Sequence, residues 1–340
     1  MTVLDRFEIV LEDPGRGYKP DEEVSGRVVL KAKAGEVESK GLTIKFTGKS
    51  IIIGRSGGKK GRRLQNYFDT TPIFLVGDGS SAVEVVKSGQ QISFPFSFQL
   101  PCGCQLLPLP SSLEAQWGNV EYYLEAELDL TPYKKNETAF KSVQVISPLN
   151  LNYIPEIIAP VQAEASKTFC CTCSGMGSLT LTVTLPKGGF TPEEKIPFQV
   201  KVENKSGRKI KRLTAAVGER IHYRRFSDIK TRYEKDFGAL LSDDGFIVRP
   251  GDTGFWSGEL EIPQLPPTTT LEHESVIIGV EYFFVVQARA SGVSKRFPVF
   301  CPIVIGTVPI PLDSTASIRS ERIQGAGENV SRPVSRTSAK

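Results

Sequence analysis

Hydrophobic and polar residues alternate along much of this chain. In residues 92–100 every second residue is apolar, and the residues between them are Ser, Pro, Ser and Gln. The same two-residue period runs through residues 120–128 and 179–185. Because successive side chains of a β-strand point to opposite faces, this period predicts strands with one buried face. Shorter runs of the same kind lie at residues 7–11, 24–30, 42–46 and 196–202, and no segment has a sustained helical period.

Two of the predicted strands contain a proline, Pro95 and Pro197. Proline has no backbone N–H to donate to a neighbouring strand. We therefore expect each of these strands to lie at a sheet edge or to carry a bulge.

Two segments of the chain are repeated later in the same order. The sequence YKPDEEV at residues 18–24 resembles FTPEEKI at 190–196, and VEYYL at 120–124 resembles VEYFF at 280–284. One such match can arise by chance, but two matches in order indicate two homologous β domains.

Length and composition agree with this division. A chain of 340 residues favours two domains over one. The 31 glycines and 23 prolines are typical of many short strands joined by turns. We predict an all-β fold of two tandem immunoglobulin-like β-sandwich domains. The net charge of +4 is small and of mixed sign, so we expect no nucleic-acid partner.

A proline-containing segment, residues 147–160, separates the two halves. We predict a first domain at residues 1–149, and a linker with the first segment of the second domain at 150–174. The second domain follows at residues 175–310. Residues 311–340 are rich in Ser, Arg, Thr and Gly and poor in apolar residues, which predicts a disordered tail.

The six cysteines lie mostly in two clusters. If the two loops met, four thiolates could bind zinc, but CxC and CCxC spacings differ from the CxxC of structural zinc sites. Buried cysteines also serve as small hydrophobic residues. We expect no metal and no cofactor, and the role of the cysteine clusters stays open. Their members are Cys102, Cys104, Cys170, Cys171 and Cys173.

The chain shows none of the features expected of a secreted protein. Clustered cysteines do not resemble a secreted disulfide framework. The first ten residues have no signal-peptide pattern, and no apolar run has the length of a membrane span. Trp117 and Trp256 also lack the Cys–Trp–Cys framing of an extracellular immunoglobulin domain. We expect a cytoplasmic protein.

Catalytic residue types are present without a catalytic motif. His222 and His273 are the only histidines, and neither lies in a known catalytic pattern. Glu121 and Glu125 could form an acid–base pair, but they alternate with apolar positions, which indicates a solvated strand face. We predict that the protein is not an enzyme.

Several segments together carry a family resemblance that extends from Phe7 to about Ile310. As a set they resemble the arrestin superfamily, and its α-arrestin (arrestin domain-containing) branch more closely than the visual and β-arrestins. The resemblance implies an arrestin-like N-domain and an arrestin-like C-domain, each a two-sheet β-sandwich. The segments are residues 18–30, 94–101, 109–125, 148–152, 169–175, 190–207 and 305–310.

The resemblance also implies a function. Members of this family are adaptors that bind membrane cargo such as receptors and transporters, and many recruit WW-domain ubiquitin ligases that drive endocytosis. We therefore expect cytosolic tails of membrane proteins as partners, and recruitment from the cytoplasm to the plasma membrane or endosomes. An arrestin-fold coat or scaffold subunit of a retromer-like complex is the alternative.

Two departures from the family pattern limit these expectations. The only Pro-Pro pair is Pro266-Pro267, and no tyrosine follows it, so any ubiquitin-ligase partner should be engaged indirectly. Residues 7–11 carry only Glu8 as a charge, so the paired lysines that β-arrestins use against receptor phosphates are missing.

Two basic runs are candidates for anion or cargo binding. They are either solvated loops or contacts for phosphorylated cargo tails or anionic lipid headgroups. The first lies on a Gly-rich predicted hairpin tip, and the second is a separate run of four cations. Their members are Lys59, Lys60, Arg62 and Arg63, and Arg208, Lys209, Lys211 and Arg212.

Overall fold

The structure is a computed structural model. It describes residues 4–33, 35–56, 59–81, 83–87, 89–102, 109–130, 135–171, 175–225, 228–243, 245–292 and 296–311. Within these ranges, side chains are described except at residues 55, 56, 59, 60, 84, 169–171, 175, 176 and 233–243. The predicted tail after Pro311 lies outside the described residues.

The first half of the chain forms two sheets, which together are called the N-domain here. The smaller sheet has the order β1-β3-β8, with β1 at Leu4–Leu11, β3 at Glu23–Ala32 and β8 at Gln91–Gln99. The larger sheet contains β2 (Gly17–Tyr18), β4 (Val37–Ser56), β5 (Lys59–Asp69), β6 (Ile73–Gly77), β7 (Val83–Val86), β9 (Leu113–Ala115), β10 (Gly118–Leu130) and β11 (Glu137–Val145). Its main order is β2-β11-β10-β4-β5, with β6 and β7 paired to β4 and β9 paired to β10.

The second half repeats this plan and is called the C-domain. One sheet has the order β12-β13-β15-β18 and the other β14-β20-β19-β16-β17. Between the domains lie two 3₁₀ turns, Leu151–Tyr153 and Pro155–Ile157. The strands are β12 (Val161–Cys171), β13 (Gly175–Leu185), β14 (Gly189–Phe190), β15 (Lys195–Asn204), β16 (Ile210–Arg224), β17 (Ile229–Asp243), β18 (Thr253–Glu261), β19 (Ile278–Ala290) and β20 (Phe297–Ile305).

The predicted two-residue period is confirmed in the strands. Along β10, buried and half-buried positions alternate over the whole strand, and its buried members include Tyr122 and Leu124. In β15 the buried residues Ile196, Phe198 and Val200 alternate with exposed ones. Each sheet thus turns one apolar face inward, and the side chains of these faces pack together to form the cores. The all-β prediction is confirmed.

The sequence repeat corresponds to a repeated turn. Asp21 and Glu193 both have a positive φ, 66° and 68°, at the same place in the two domains. In each turn a glutamate carboxylate accepts the backbone N–H three residues earlier: Glu22 from Lys19 at 3.0 Å and Glu194 from Thr191 at 2.9 Å. The strand before each turn, β2 or β14, pairs in parallel with the last strand of its domain.

Buried tyrosines occupy equivalent places in the second repeated motif. The Tyr122 hydroxyl donates to the Pro110 carbonyl at 2.6 Å, and the Tyr282 hydroxyl donates to the Pro266 carbonyl at 2.9 Å. Burial is the main cause that raises the pKa of both phenols far above the usual range. Each tyrosine remains neutral and joins a core strand to a loop.

The two prolines in predicted strands have different surroundings. Pro95 lies in β8, an edge strand, as expected. Pro197 lies in β15, which is an interior strand between β13 and β18. However, β13 pairs with β15 only from Gln199 onward, so the side of β15 facing β13 is open at Pro197. The missing N–H of Pro197 is tolerated because β13 and β15 are not yet paired at this position.

The segment between the domains is attached to the end of the C-domain. Leu149 accepts the backbone N–H of Thr307 at 2.8 Å, and Asn150 forms a parallel bridge with Val308. Leu151 then packs with Ile157 and Ile310 in a small apolar cluster. A side chain at Gly306 would overlap Leu151, so only glycine permits this approach. These contacts restrict the linker.

Candidate functional site

The β4–β5 hairpin of the N-domain extends beyond its own sandwich and rests on the C-domain. One guanidinium nitrogen of Arg63 donates to the Arg224 carbonyl at 2.9 Å and also to the Arg225 carbonyl. The Arg224 side chain donates in turn to the Leu271 carbonyl, and its backbone N–H donates to Ile277 at 2.8 Å. Arg63 and Arg224 thus connect three segments that are far apart in sequence.

Glycines allow this close approach. A β-carbon at Gly54 would lie 2.7 Å from the Arg225 guanidinium carbon, and one at Gly118 would lie 3.0 Å from Ile278 Cδ1. Gly54 and Gly118 belong to the N-domain, while Arg225 and Ile278 belong to the C-domain. The absence of side chains at these glycines leaves room for the Arg225 and Ile278 side chains of the C-domain. The buried apolar residues of both domains form one continuous cluster.

A cleft of about 290 Å³ lies at this junction. Trp117, in the turn between β9 and β10, supplies the N-domain side. The C-domain supplies Tyr223 and three cations, Arg225, Lys230 and Arg232. Trp117 is 39% exposed, so its indole can contact a ligand, whereas Tyr223 is buried and forms the floor. Pockets with aromatic walls and a few polar groups are typical of binding sites between domains.

The electrostatic balance of the cleft is positive. Lys230 pairs with Asp228 at 2.9 Å, and this hydrogen bond lowers the pKa of the Asp228 carboxyl. Among the described residues that line the cleft or pair with its lining, three are cations and one, Asp228, is a carboxylate. A ligand that combines an apolar or aromatic group with negative charge complements such a cleft in shape and in charge.

The first predicted basic run lies beside this cleft. Arg62 is exposed on β5, while Arg63 is half-buried and donates to the C-domain carbonyls described above. The side chains of Lys59 and Lys60 lie outside the described residues. The structure therefore gives Arg63 a role in joining the domains, which the sequence did not indicate.

The second predicted basic run lies at the other end of β16. Arg208 Nη1 donates to the Ser291 carbonyl at 3.0 Å, and Lys209 accepts the Ser291 N–H at 2.8 Å. Lys211 is exposed, and Arg212 lies opposite Arg289 of β19. Arg296 and Arg212 line the same small recess. The run thus gains Arg289 and Arg296, which sequence reasoning missed because strand pairing brings them there.

An open groove of about 810 Å³ lies on the outer face of the N-domain. Its wall includes Tyr123 and Phe140, whose rings lie 6.0 Å apart, and Phe140 is 61% exposed. Glu121 pairs with Lys49 at 3.3 Å in this groove. Along the same face Glu125 pairs with Lys45 at 3.0 Å. The two glutamates are thus neutralised on a solvated face rather than arranged for acid–base chemistry.

Family models match both halves of the chain. The model "Arrestin (or S-antigen), N-terminal domain" matches residues 7–152, and "Arrestin (or S-antigen), C-terminal domain" matches residues 175–310. The chain belongs to the arrestin superfamily, in its α-arrestin branch. The family resemblance inferred from the sequence is confirmed.

Curated relatives agree with this assignment. Arrestin domain-containing protein 17 of Caenorhabditis elegans is 28% identical over 96% of this chain and 76% of its own length. Arrestin domain-containing protein 4 of Mus musculus is 27% identical over 88% of this chain and 71% of its own. Thioredoxin-interacting protein of Homo sapiens is 26% identical over 89% and 75%, respectively. These relatives support an adaptor role for this arrestin.

Among the described residues of this arrestin, the groups suited to catalysis lie apart from one another. His222 contacts Thr231 Oγ1 at 2.9 Å and Glu281 at 3.0 Å, while His273 contacts Ser275 at 2.7 Å. Burial raises the pKa of the Cys301 thiol to about 11, so this thiol is protonated and unreactive at neutral pH. Arrestin-family proteins are generally non-enzymatic adaptors.

Neither a metal site nor a membrane helix is found in the described part of the chain. The described residues contain no group of His, Cys, Asp and Glu that could hold a metal ion. Of the two cysteine clusters, Cys102 is exposed, whereas Cys104 and the side chains of Cys170, Cys171 and Cys173 lie outside the described residues. Across those same residues, no helix is long and apolar enough to cross a membrane.

We predict that WW domains of ubiquitin ligases do not bind Pro266-Pro267. Pro267 is buried, and the Pro266 carbonyl accepts the Tyr282 hydroxyl. A WW domain needs an exposed extended proline segment. Titration of purified WW domains against the chain should show no micromolar binding, while a Pro-Pro-x-Tyr peptide binds. Micromolar affinity that disappears when both prolines are replaced by alanine would contradict this.

Proposed function

We propose that this arrestin binds cytosolic segments of membrane proteins, such as receptors and transporters, in the cleft between its two domains. Bound cargo would then be linked to endocytic sorting, protein transport or ubiquitination machinery. The observation that carries the proposal is the cleft itself, where Trp117 of one domain faces three cations of the other. The protein would act without catalysis.

Charge complementarity defines the preferred cargo segment. Arg225, Lys230 and Arg232 favour peptides with several carboxylates, and the indole of Trp117 favours an aromatic or large apolar residue among them. A peptide of this composition buries its apolar group against the ring and places its acidic groups at the cationic rim. Salt should weaken binding because the rim charges are partly exposed.

The basic hairpin supports recruitment to membranes. Lys59, Lys60, Arg62 and Arg63 follow one another in the β4–β5 hairpin, next to the cleft. Cations near an anionic lipid surface contribute about 1 kcal/mol each. We propose that the exposed members of this set attract anionic headgroups. The protein would thereby be held at the plasma membrane or at endosomes, where cargo tails are available.

Reversing the charge of the cleft is expected to abolish most of this binding. In Lys230→Glu and Arg232→Glu, affinity for an acidic peptide with one central tryptophan should fall by about tenfold or more in each variant. The readout is fluorescence anisotropy of the labelled peptide at two salt concentrations. Lys195→Glu is the matched control, since Lys195 is an exposed C-domain lysine on β15.

Three results would contradict this function. Equal losses in the Lys195→Glu control would show that only overall charge matters. Proximity labelling in living cells that returns a fixed set of coat subunits and no membrane proteins would favour the scaffold alternative. Co-purification with a stoichiometric multi-subunit complex would do the same.

A further inference from the structure

Strand β18 of the C-domain is an edge strand with an open side. It is the last strand in the order β12-β13-β15-β18, and it pairs with β15 from Thr253 to Glu261. Apart from that pairing, the described residues form no further backbone hydrogen bond with residues 253–261. An open edge presents N–H and C=O groups to which another chain can pair. The lining of the junction cleft comes from other segments, so this edge is a separate surface.

The free backbone groups of β18 belong to every second residue. At the two ends of the strand, Asp252 accepts the Asn204 N–H at 3.0 Å, and Ile262 donates to the Glu194 carbonyl at 3.0 Å. Because the direction of backbone groups alternates along an antiparallel ladder, the even-numbered residues direct theirs to β15. The odd-numbered residues of 253–261 therefore direct their N–H and C=O groups to the open side.

A proline in the neighbouring strand agrees with this alternation. Pro197 of β15 lies opposite Glu259. Proline has no N–H, so it fits without loss only in a pair that exchanges no hydrogen bonds. The backbone groups of Glu259 thus point away from β15, toward the open side.

The same odd-numbered residues place their side chains on the outer face of the sheet. Phe255 is 75% exposed, and Glu259 and Glu261 are exposed as well. The side chains between them point inward, and Trp256 contacts the Phe198 ring edge-on at 4.9 Å. Charges alone would protect an open edge from aggregation. An exposed aromatic ring at the same edge adds contact area for a ligand.

One end of this edge is acidic. Lys195 lies 4.0 Å from Glu259 and is the cross-strand partner of Glu261. Glu193, in the turn before β15, accepts a hydrogen bond from Gln264 Nε2 at 2.7 Å. Glu193, Glu259 and Glu261 thus outnumber Lys195 at this end, although the whole chain has a net charge of +4. A positively charged segment complements this end of the edge.

We propose that β18 binds an extended basic segment of a partner protein as an added antiparallel strand. The segment places basic residues opposite Glu261 and Glu259 and an apolar residue opposite Phe255. Its pattern is B-x-B-x-x-x-Φ, where B is Lys or Arg and Φ is an aromatic or large apolar residue. Main-chain hydrogen bonds supply affinity in this mode of binding, and alternate side chains supply specificity. The antiparallel orientation is chosen because its pairing is the more stable per residue.

The test titrates a labelled nonapeptide, Lys-Thr-Lys-Thr-Ser-Thr-Phe-Thr-Ser, with the full chain and measures fluorescence anisotropy. N-methylation of its central serine removes an N–H that faces β18 in the proposed register. Methylation of the threonine just before that serine removes an N–H that faces away. The first change should weaken binding by about tenfold, and the second by less than about threefold. Equal effects of the two would overturn strand addition.

Three substitutions in the chain test the register. Phe255→Ser should weaken binding by about tenfold, because the apolar residue of the peptide loses the ring it packs against. Glu259→Lys should weaken binding by about fivefold at low salt and by less at high salt, because attraction becomes repulsion. Lys195→Glu should strengthen binding by about twofold, because it adds an anion beside Glu259. A gain in affinity does not arise from misfolding.

Matched controls exist for these substitutions. Phe140→Ser removes an exposed phenylalanine of the N-domain, and Glu164→Lys reverses an exposed carboxylate on β12, at the other end of the same sheet. Each should change the affinity by less than about twofold. Lys230→Glu and Arg232→Glu in the junction cleft should also leave it unchanged within about twofold, so failure of cargo capture and failure of this edge are distinguishable.

The outcomes separate the possible occupants of the edge. Losses confined to Phe255→Ser and Glu259→Lys support the proposal, while equal losses in the controls overturn it. Equal binding of the peptide with its sequence reversed overturns the antiparallel register. Tighter binding of residues 312–340 of this chain, lost in Phe255→Ser, overturns the choice of a partner protein. Light scattering that shows a dimer which Phe255→Ser dissociates would assign the edge to a second copy and overturn that choice too.

Discussion

Replacing Gly118 by valine is expected to lower the free energy of unfolding by about 3 kcal/mol and to open the junction between the domains. A β-carbon at this position would overlap the Ile51 carbonyl oxygen and would lie 3.2 Å from Ile52 Cα and 3.0 Å from Ile278 Cδ1. The first two contacts are with backbone of β4, which pairs with β10 at this point. Backbone cannot move aside without breaking that pairing, and valine adds further bulk against the C-domain.

Gly61→Val is the control for this prediction. Among the described atoms, a β-carbon at Gly61 would meet the Gly54 carbonyl alone, at an ordinary 3.9 Å, so the substitution tests β-propensity without overlap. Denaturant unfolding measures stability, and hydrogen exchange measures the junction at residues 222–225 and 276–279. Exchange there should rise in Gly118→Val and not in Gly61→Val. If both variants behave alike, the junction does not depend on the close approach at Gly118.

The strands could be predicted because their signal is local. A two-residue period depends only on which face of a strand is buried, and β8, β10, β13 and β15 all lie where this period predicts them. The division into two domains could be predicted because the same turn occurs twice, with a glutamate that accepts the backbone N–H three residues earlier. Fold class and repeat are both determined over short distances in sequence.

The junction cleft could not be predicted, because it is formed by contacts between distant segments. Trp117 lies in a turn with no repeated pattern, and Tyr223 reads as a core residue of β16. Only the packing of the two domains brings them to one pocket. Arg63 gives the same lesson: a run of cations predicts charge, but not that one of them donates to carbonyls of the other domain.

Strand pairing explains the other features that the sequence did not predict. Arg212 was found in a basic run, while Arg289 and Arg296 lie far from it in sequence and meet it through the β16–β19 pairing and the turn that follows. Pro197 was expected at an edge strand or a bulge because the sequence does not show where a neighbouring strand ends. The open side at Pro197 becomes visible only with the register of β13.

Replacing Phe284 by alanine is expected to lower the free energy of unfolding by about 3–5 kcal/mol. Phe284 is fully buried in the C-domain core, and its ring lies 5.0 Å from that of Phe198, which in turn contacts Trp256 at 4.9 Å. Removing the ring leaves a cavity that rigid strands cannot close. The matched N-domain variant is Phe46→Ala, whose ring lies 5.1 Å from Phe68.

The two variants together test whether the domains unfold as one unit. Each domain contains one tryptophan, Trp117 or Trp256, so single-tryptophan backgrounds made with Trp→Phe report each domain separately. Because the buried apolar residues form one cluster through the junction, Phe284→Ala should shift the transitions seen by both tryptophans to the same denaturant concentration. Phe46→Ala, in the N-domain core, should likewise shift the transitions seen by both tryptophans to one denaturant concentration. A shift seen only by Trp256 in Phe284→Ala would mean that the contacts of Arg63 and Gly118 hold two independently stable domains side by side. The cleft of the proposed cargo site would then lie between two domains that hold their structures separately.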